Sequence, residues 1–294
     1  ARSLRLGPGD EVLATDHEYG ACDRTWRFLA AKHGITYINQ PIPVPIQSPQ
    51  HIIEALWQGV TPRTRVIYLS HIASPTALIF PVEQICARAR QAGILTVIDG
   101  AHAPGHIPLA LDALGADFYT GNLHKWLCAP KGAAFLYARP EVQPLLEPLV
   151  VSWGWQPEQP GASPFIDQNE WIGTRDIAAF LSVPDAIQFQ KDHRWDVVSA
   201  ACHRLLADFW PQLLAVTGQG AFYPNSDDYY RQMAAFPLPP HADLAALKTR
   251  LYDDYRIEVP LIAWNGYKLI RISVQGYNTR RDLTRLLTAL KALL

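Results

Sequence analysis

The chain has 294 residues, 49% of them hydrophobic and 18% charged, with a formal net charge of -1 at pH 7. That supports a large core, enough for one big domain and a smaller one. The near-neutral balance excludes a partner recruited by bulk charge, so neither nucleic acid nor an acidic membrane is expected. No apolar run reaches the length of a membrane span, and Ala1–Leu6 does not read as a signal peptide. The cysteines Cys22, Cys86, Cys128 and Cys202 are scattered, with neither metal-ligand spacing nor a disulfide framework, which predicts free thiols in a reducing cytoplasm.

In chain order, the turn Gly7-Pro8-Gly9-Asp10 leads into a strand over 11–15 and a helix over 21–33. A strand over 35–38, a helix over 49–58 and a strand over 65–70 follow. The last is almost continuously apolar, as a strand buried on both faces must be. A helix over 81–92 stops at Gly93, and Leu95-Thr96-Val97-Ile98-Asp99 is the next buried strand. Short strands near 118–120 and 133–137 complete an α/β pattern. It predicts a mostly parallel sheet flanked by helices, with ligands held beyond the carboxyl ends of its strands. Residues 140–174, rich in Pro, Gly and Trp, read as a long ordered loop, and 175–193 as a bridging helix. A smaller α/β domain is expected over 197–294, after a large domain over 1–190. Its elements are helices over 197–214, 243–255 and 279–294 and strands over 232–236, 257–260 and 269–274.

Two strand ends carry the chemistry. Asp99 ends one strand in Val97-Ile98-Asp99-Gly100-Ala101-His102. Lys125 follows another in Asn122-Leu123-His124-Lys125-Trp126. Taken singly, such an Asp is a cap and such a Lys is surface. Together, in this order, they suit pyridoxal phosphate (PLP): the lysine amine forms a Schiff base, and the carboxylate pairs with the pyridine nitrogen so that the ring can accept electrons. Ser70-His71 falls at a third strand end, which places all three at one shared site. Arg271 lies within an apolar strand, where a buried charge needs a partner. No Gly-x-Gly-x-x-Gly follows a strand, which argues against a dinucleotide binder.

These motifs resemble the class V aminotransferase family of fold type I PLP enzymes, most closely its isopenicillin N epimerase-like branch. The resemblance runs from Pro8-Gly9-Asp10-Glu11 to Arg271-Ile272-Ser273. It implies that Lys125 binds the cofactor and later moves the substrate Cα proton, and that Asp99 pairs with the pyridinium. His17, in Asp16-His17-Glu18-Tyr19-Gly20, matches the residue that stacks on the cofactor ring, with a helix-start cap as its other reading; Tyr19 could instead line the pocket. His102 fits a hydrogen bond to the cofactor's phenolic oxygen or a packing role, and Ser74 lies near that same oxygen. Asn122 and His124 match phosphate contacts. Thr174 resembles a threonine that reaches the phosphate of a neighbouring subunit, which implies a homodimer with sites at its interface; it also suits an ordinary N-cap. Arg271 matches the clamp on the substrate α-carboxylate.

The implied activity is epimerisation, transamination or elimination at the Cα of an amino-acid-type substrate. Two features qualify this. The family carries a phosphate-cradling segment ahead of Gly7-Pro8-Gly9-Asp10, and measured against that pattern the chain starts just after it. A catalytically silent homologue with weak PLP binding is therefore an alternative. A cysteine desulfurase-like lyase is another, but the stretch 259–266, where desulfurases carry a catalytic Cys, has none. Cys128 is the one cysteine expected near the site.

Overall fold

A computed structural model describes residues 1–294. The strands β1 (Glu11–Thr15), β2 (Thr36–Gln40), β3 (Thr64–Ser70), β4 (Leu95–Asp99), β5 (Phe118–Asn122) and β6 (Ala134–Ala138) form one sheet, ordered β2-β1-β3-β4-β5-β6. The first five are parallel, and β6 returns antiparallel at the edge. Crossovers run through α1 (Gly20–His33), α2 (Pro49–Trp57) and α3 (Val82–Gln91). Side chains alternate across the sheet with period two. Val12, Ala14, Val66 and Tyr68 pack toward Trp26 and Leu29 of α1. Leu13, Ile67, Leu69 and Ile98 join the opposite cluster with Ile52 of α2 and Ile85 of α3.

Beyond the sheet, a short 3-10 turn (Pro140–Leu145) and α4 (Leu111–Leu114) edge the layer. α5 (Pro164–Glu170), α6 (Ala178–Leu181) and α7 (Val183–Asp192) lead to the long α8 (Trp195–Thr217). A second, antiparallel sheet, ordered β7-β9-β8, contains β7 (Met233–Pro237), β8 (Leu261–Trp264) and β9 (Tyr267–Ser273). It is flanked by α9 (Leu244–Asp253) and α10 (Arg280–Leu293). Leu206, Phe236, Ile270 and Leu286 from this region share one apolar cluster with Leu13 and Ile67 of the first sheet. No helix is long and apolar enough to cross a membrane.

Three expected elements differ. The stretch 140–174 is not all loop: Ser163 accepts from the Ile166 N–H and Pro164 occupies the first turn, so a Ser-Pro start signal opens α5. The helix expected over 175–193 is split at Ser182, because Pro184 can begin a helix but has no N–H to continue one. The strand expected over 257–260 lies instead at 261–264. Asn265 and Gly266 both adopt positive φ and close a tight hairpin from β8 to β9, a turn signal that sets the register. The α10 start is as expected: the Thr279 N–H donates to Asp282 and the capping box is complete.

Candidate active site

The strand order reverses between β1 and β3: β2 lies on one side of β1, and the following strands extend from the other. In open parallel sheets the crevice beyond the carboxyl ends at such a point is where ligands bind. A cavity of about 580 Å³ opens there. Its floor is a row of residues set by strand register, Ser70 beside Asp99 and Asp99 beside Thr120. The loop from β5 to β6 adds Asn122, His124 and Lys125. Tyr19 and Cys22 enter from α1 and its approach, Ser74 and His102 from turns after β3 and β4, and Arg271 from β9.

Three donors converge on the Asp99 carboxylate. Tyr68 Oη lies 3.2 Å and Cys22 Sγ 3.6 Å from Oδ2, and the Ala101 N–H donates to Oδ1 at 2.9 Å. Lys125 Nζ lies 3.3 Å from His102 Nε2. Burial lowers the lysine pKa; Asp99 opposes that shift and Arg271 adds to it. Arg271 Nη1 donates to the Ser74 backbone carbonyl and, at 3.2 Å, to the Ser74 hydroxyl. Its Nε is buried without a partner. No carboxylate answers its charge, and burial lowers its pKa.

Glu18 stands beside the same floor, accepting hydrogen bonds from the Ser70 N–H and hydroxyl and from the Thr15 hydroxyl. Burial outweighs these donors and pushes its pKa up to about 7, with Asp99 adding repulsion. The folded state therefore binds a proton that the unfolded chain releases near pH 4.5. The stabilising contribution is present below that pH and is lost as pH rises through about 7, a change of roughly 3 kcal/mol at full ionisation. Glu18→Gln is expected to reduce the fall in urea midpoint between pH 5 and pH 8. An identical fall in both proteins would show that Glu18 is ionised throughout.

Eight of the ten residues to which the sequence assigned a cofactor or substrate role lie on the cavity: Lys125, Asp99, His102, Ser74, Asn122, His124, Arg271 and Tyr19. Two do not. His17 is fully buried beneath it, 2.8 Å from the Thr76 hydroxyl and packed against Trp264 and Phe80. Burial pushes its pKa down to about 4. The chain turns after β1 so that His17 points inward and Tyr19 outward; the aromatic ring on the cavity wall is Tyr19. Nor does His17 cap α1, whose N-cap is Tyr19 without a side-chain bond. Thr174 is exposed and away from the cavity, and α6 begins only at Ala178, where Asp176 rather than Thr174 accepts from the first N–H.

His71 also leaves the site, since it follows Ser70 onto the opposite face and meets Tyr119 at 2.8 Å. Cys22, not Cys128, is the cavity thiol, and its pKa is raised by burial to about 11. Cys22, Tyr68, Glu18 and Trp126 were not singled out from sequence. A helix start directly after a strand of a parallel sheet is the signal that could have flagged Cys22.

Known proteins agree with this architecture. The Aminotransferase class-V profile matches residues 1–286. Isopenicillin N epimerase of Amycolatopsis lactamdurans is 37% identical over 300 residues, which cover 98% of this chain and 75% of that protein. The Streptomyces clavuligerus enzyme of the same name is 37% identical over 304 residues, 100% of this chain and 76% of its own. A structure of C-DES with glycine covalently linked to its PLP cofactor superposes with a TM-score of 0.82 at 21% identity, covering 99% of this chain and 76% of that one. The fold is that of the PLP-dependent transferases, a mostly parallel sheet flanked by helices. The chain belongs to the class V aminotransferase family of PLP-dependent enzymes.

The donor set fits that cofactor. A desolvated amine, a carboxylate held by three donors and polar groups at Asn122, His124 and Thr120 share one cavity with an arginine whose buried Nε is unpartnered.

Proposed function

We propose that the protein acts at the Cα of an amino-acid-type substrate, with epimerisation as the reaction its 37% identical relatives favour. One observation carries the reading. Lys125, Asp99 and Arg271 face a single cavity, and the arginine's charge lacks a carboxylate partner. PLP, when bound, would supply an electron sink at the substrate Cα.

The residues then divide the work. Lys125 would hold the cofactor and, with its amine free, would take the Cα proton; burial lowers the lysine pKa and so favours the neutral amine that this role needs. Asp99, its carboxylate fixed by Tyr68, Cys22 and the Ala101 N–H, would orient the pyridine nitrogen. Tyr19, on the cavity wall, would cover the ring, and Asn122 and His124 would hold phosphate oxygens. Ser74 positions Arg271, which presents a planar donor pair to the α-carboxylate. His102, on the cavity wall, would reach the cofactor's phenolic oxygen.

Incubation with candidate amino acids in deuterated water tests this. Exchange of the Cα proton, seen by proton NMR, is expected, with inversion on a chiral column. Exchange without inversion would leave transamination or elimination; no exchange with any amino acid would sink the proposal. Persulfide chemistry of the desulfurase kind is disfavoured. The expected loop is the tight β8–β9 hairpin without a Cys, and burial suppresses the thiolate of Cys22.

We further propose a cytoplasmic homodimer. Leu149 is 83% and Trp153 74% exposed, with Val151, Trp155 and Trp171 nearby in sequence and also exposed. A run of bare apolar side chains this large marks an interface. Thr174 lies in the same segment, where it could serve a partner's phosphate site. Light scattering is expected to give twice the chain mass of 32.9 kDa. Trp153→Glu should shift it toward the single mass; a wild-type monomer would refute the dimer.

A further inference from the structure

Hydrogen bonds and a ring stack connect the second sheet to the residues around Lys125. The Gln232 N–H, just before β7, donates to His106 Nε2 at 3.0 Å. With that nitrogen accepting, the neutral His106 ring carries its proton on Nδ1, which donates to the His102 carbonyl at 3.0 Å. His106 also stacks on Trp126, with ring centroids 4.0 Å apart and planes at 21°. Trp126 Nε1 in turn points at His102 Nδ1 at 3.2 Å. Gln190 holds the Trp126 carbonyl at 3.0 Å.

The turn bearing both histidines presses on this segment. Gly105 sits at φ +75°, and a Cβ there would come within 2.6 Å of the Trp126 carbonyl oxygen. The indole and the two imidazoles are therefore held in a fixed relation.

The donors decide the tautomer. An indole N–H can only donate, so His102 Nδ1 accepts, and the proton of the neutral ring sits on Nε2. That nitrogen is the one facing Lys125 Nζ. Burial keeps the ring neutral, pushing its pKa down to about 2, with the charges of Lys125 and Arg271 acting the same way. An N–H aimed at Nζ is favourable when Nζ offers a lone pair. Against an ammonium it would set N–H against N–H.

We infer that Trp126 is a positioning residue: by donating to His102 Nδ1 it fixes the Nε2–H tautomer, which holds the Lys125 side chain as a neutral amine. This rests on the reading of Lys125 as the cofactor-binding and proton-moving group, whose neutral form is the reactive one. The groups facing Lys125 come from four elements. Asp99 on β4 favours the ammonium, Arg271 on β9 opposes it, and Cys22 on α1 faces it as a neutral thiol; His102, in the turn after β4, sets the hydrogen-bond sense. Tyr68 and Glu18 act behind Asp99. Asp99 alone would draw a proton onto Lys125, so a donor turned toward Nζ is a counterweight in the site itself.

Nitrogen NMR of the cofactor-stripped protein labelled with 15N-histidine reads the tautomer directly, with His102 signals assigned through His102→Gln. The wild type is expected to carry its proton on Nε2 at neutral pH. Trp126→Phe keeps the stack on His106 but removes the donor. It should mix the tautomers and raise, by about one unit or more, the pH at which Lys125 is half-acylated by acetic anhydride, read by peptide mass spectrometry. A wild-type His102 protonated on Nδ1, or on both nitrogens, overturns the inference without any variant. So does a folded Trp126→Phe protein with an unchanged Lys125 profile. Neither readout uses the cofactor. If PLP were trapped on a different lysine, the functional reading would fail while the tautomer result stood.

Discussion

Lys125→Ala is expected to abolish the borohydride-stable cofactor adduct and to lower turnover by about 10³-fold or more, because one side chain serves as both cofactor anchor and proton carrier. The loss should come without unfolding. Lys125 is desolvated and makes one contact at hydrogen-bond distance, to His102 Nε2, so alanine removes a desolvated amine rather than a brace. Peptide mapping after reduction is the check. A trapped adduct in the variant, on any lysine, would remove Lys125 from its assigned role, and unchanged turnover would do so as well.

Arg271→Ala is expected to weaken substrate binding by about 2–5 kcal/mol, or roughly 30- to 4,000-fold, the usual consequence of removing one partner of a desolvated charge pair. A stability measurement separates this from a structural effect. Arg271 bonds only to Ser74, and its buried Nε has no partner. In the ligand-free protein its removal should therefore be neutral or mildly stabilising, since a buried charge without a counter-ion is costly. Arg271→Lys should be intermediate, keeping charge but losing the planar fork. A large fall in urea midpoint with unchanged KM would make Arg271 a structural residue and leave the carboxylate clamp unassigned.

Both predictions depend on residues visible before any coordinates. The apolar runs of β3 and β4 and the residues that end them announced a parallel sheet with chemistry at its carboxyl edge. Burial on both faces leaves a long apolar run no other role, and the polar residue that ends it has little choice but to face the crevice. Lys125 and Arg271 stood out for a related reason. Each is a charge in an apolar setting, costly enough to demand an explanation. Element starts with local causes were legible too, as at Thr279 and Asp282.

Direction and partnership were not legible. His17 and Tyr19 lie two residues apart in a turn after β1, and sequence order does not say which side chain points inward. Packing on Trp264, which comes from β8, decided that. Cys22 read as an ordinary helical residue, and its place beside Asp99 exists only because α1 starts over the sheet's edge. His71 looked like part of the site until strand alternation carried it to the far face. Trp126 was adjacent to the lysine from the outset, yet its hydrogen bond to His102 depends on two turns that pack across Gly105. The sheet, the order of its strands and the residue types suited to PLP chemistry were legible in the chain alone, because burial and periodicity are local and strong. Which of those residues share a cavity, and which nitrogen faces which, emerged from the folded arrangement, because such contacts join segments far apart in the chain and turn on the orientation of individual side chains.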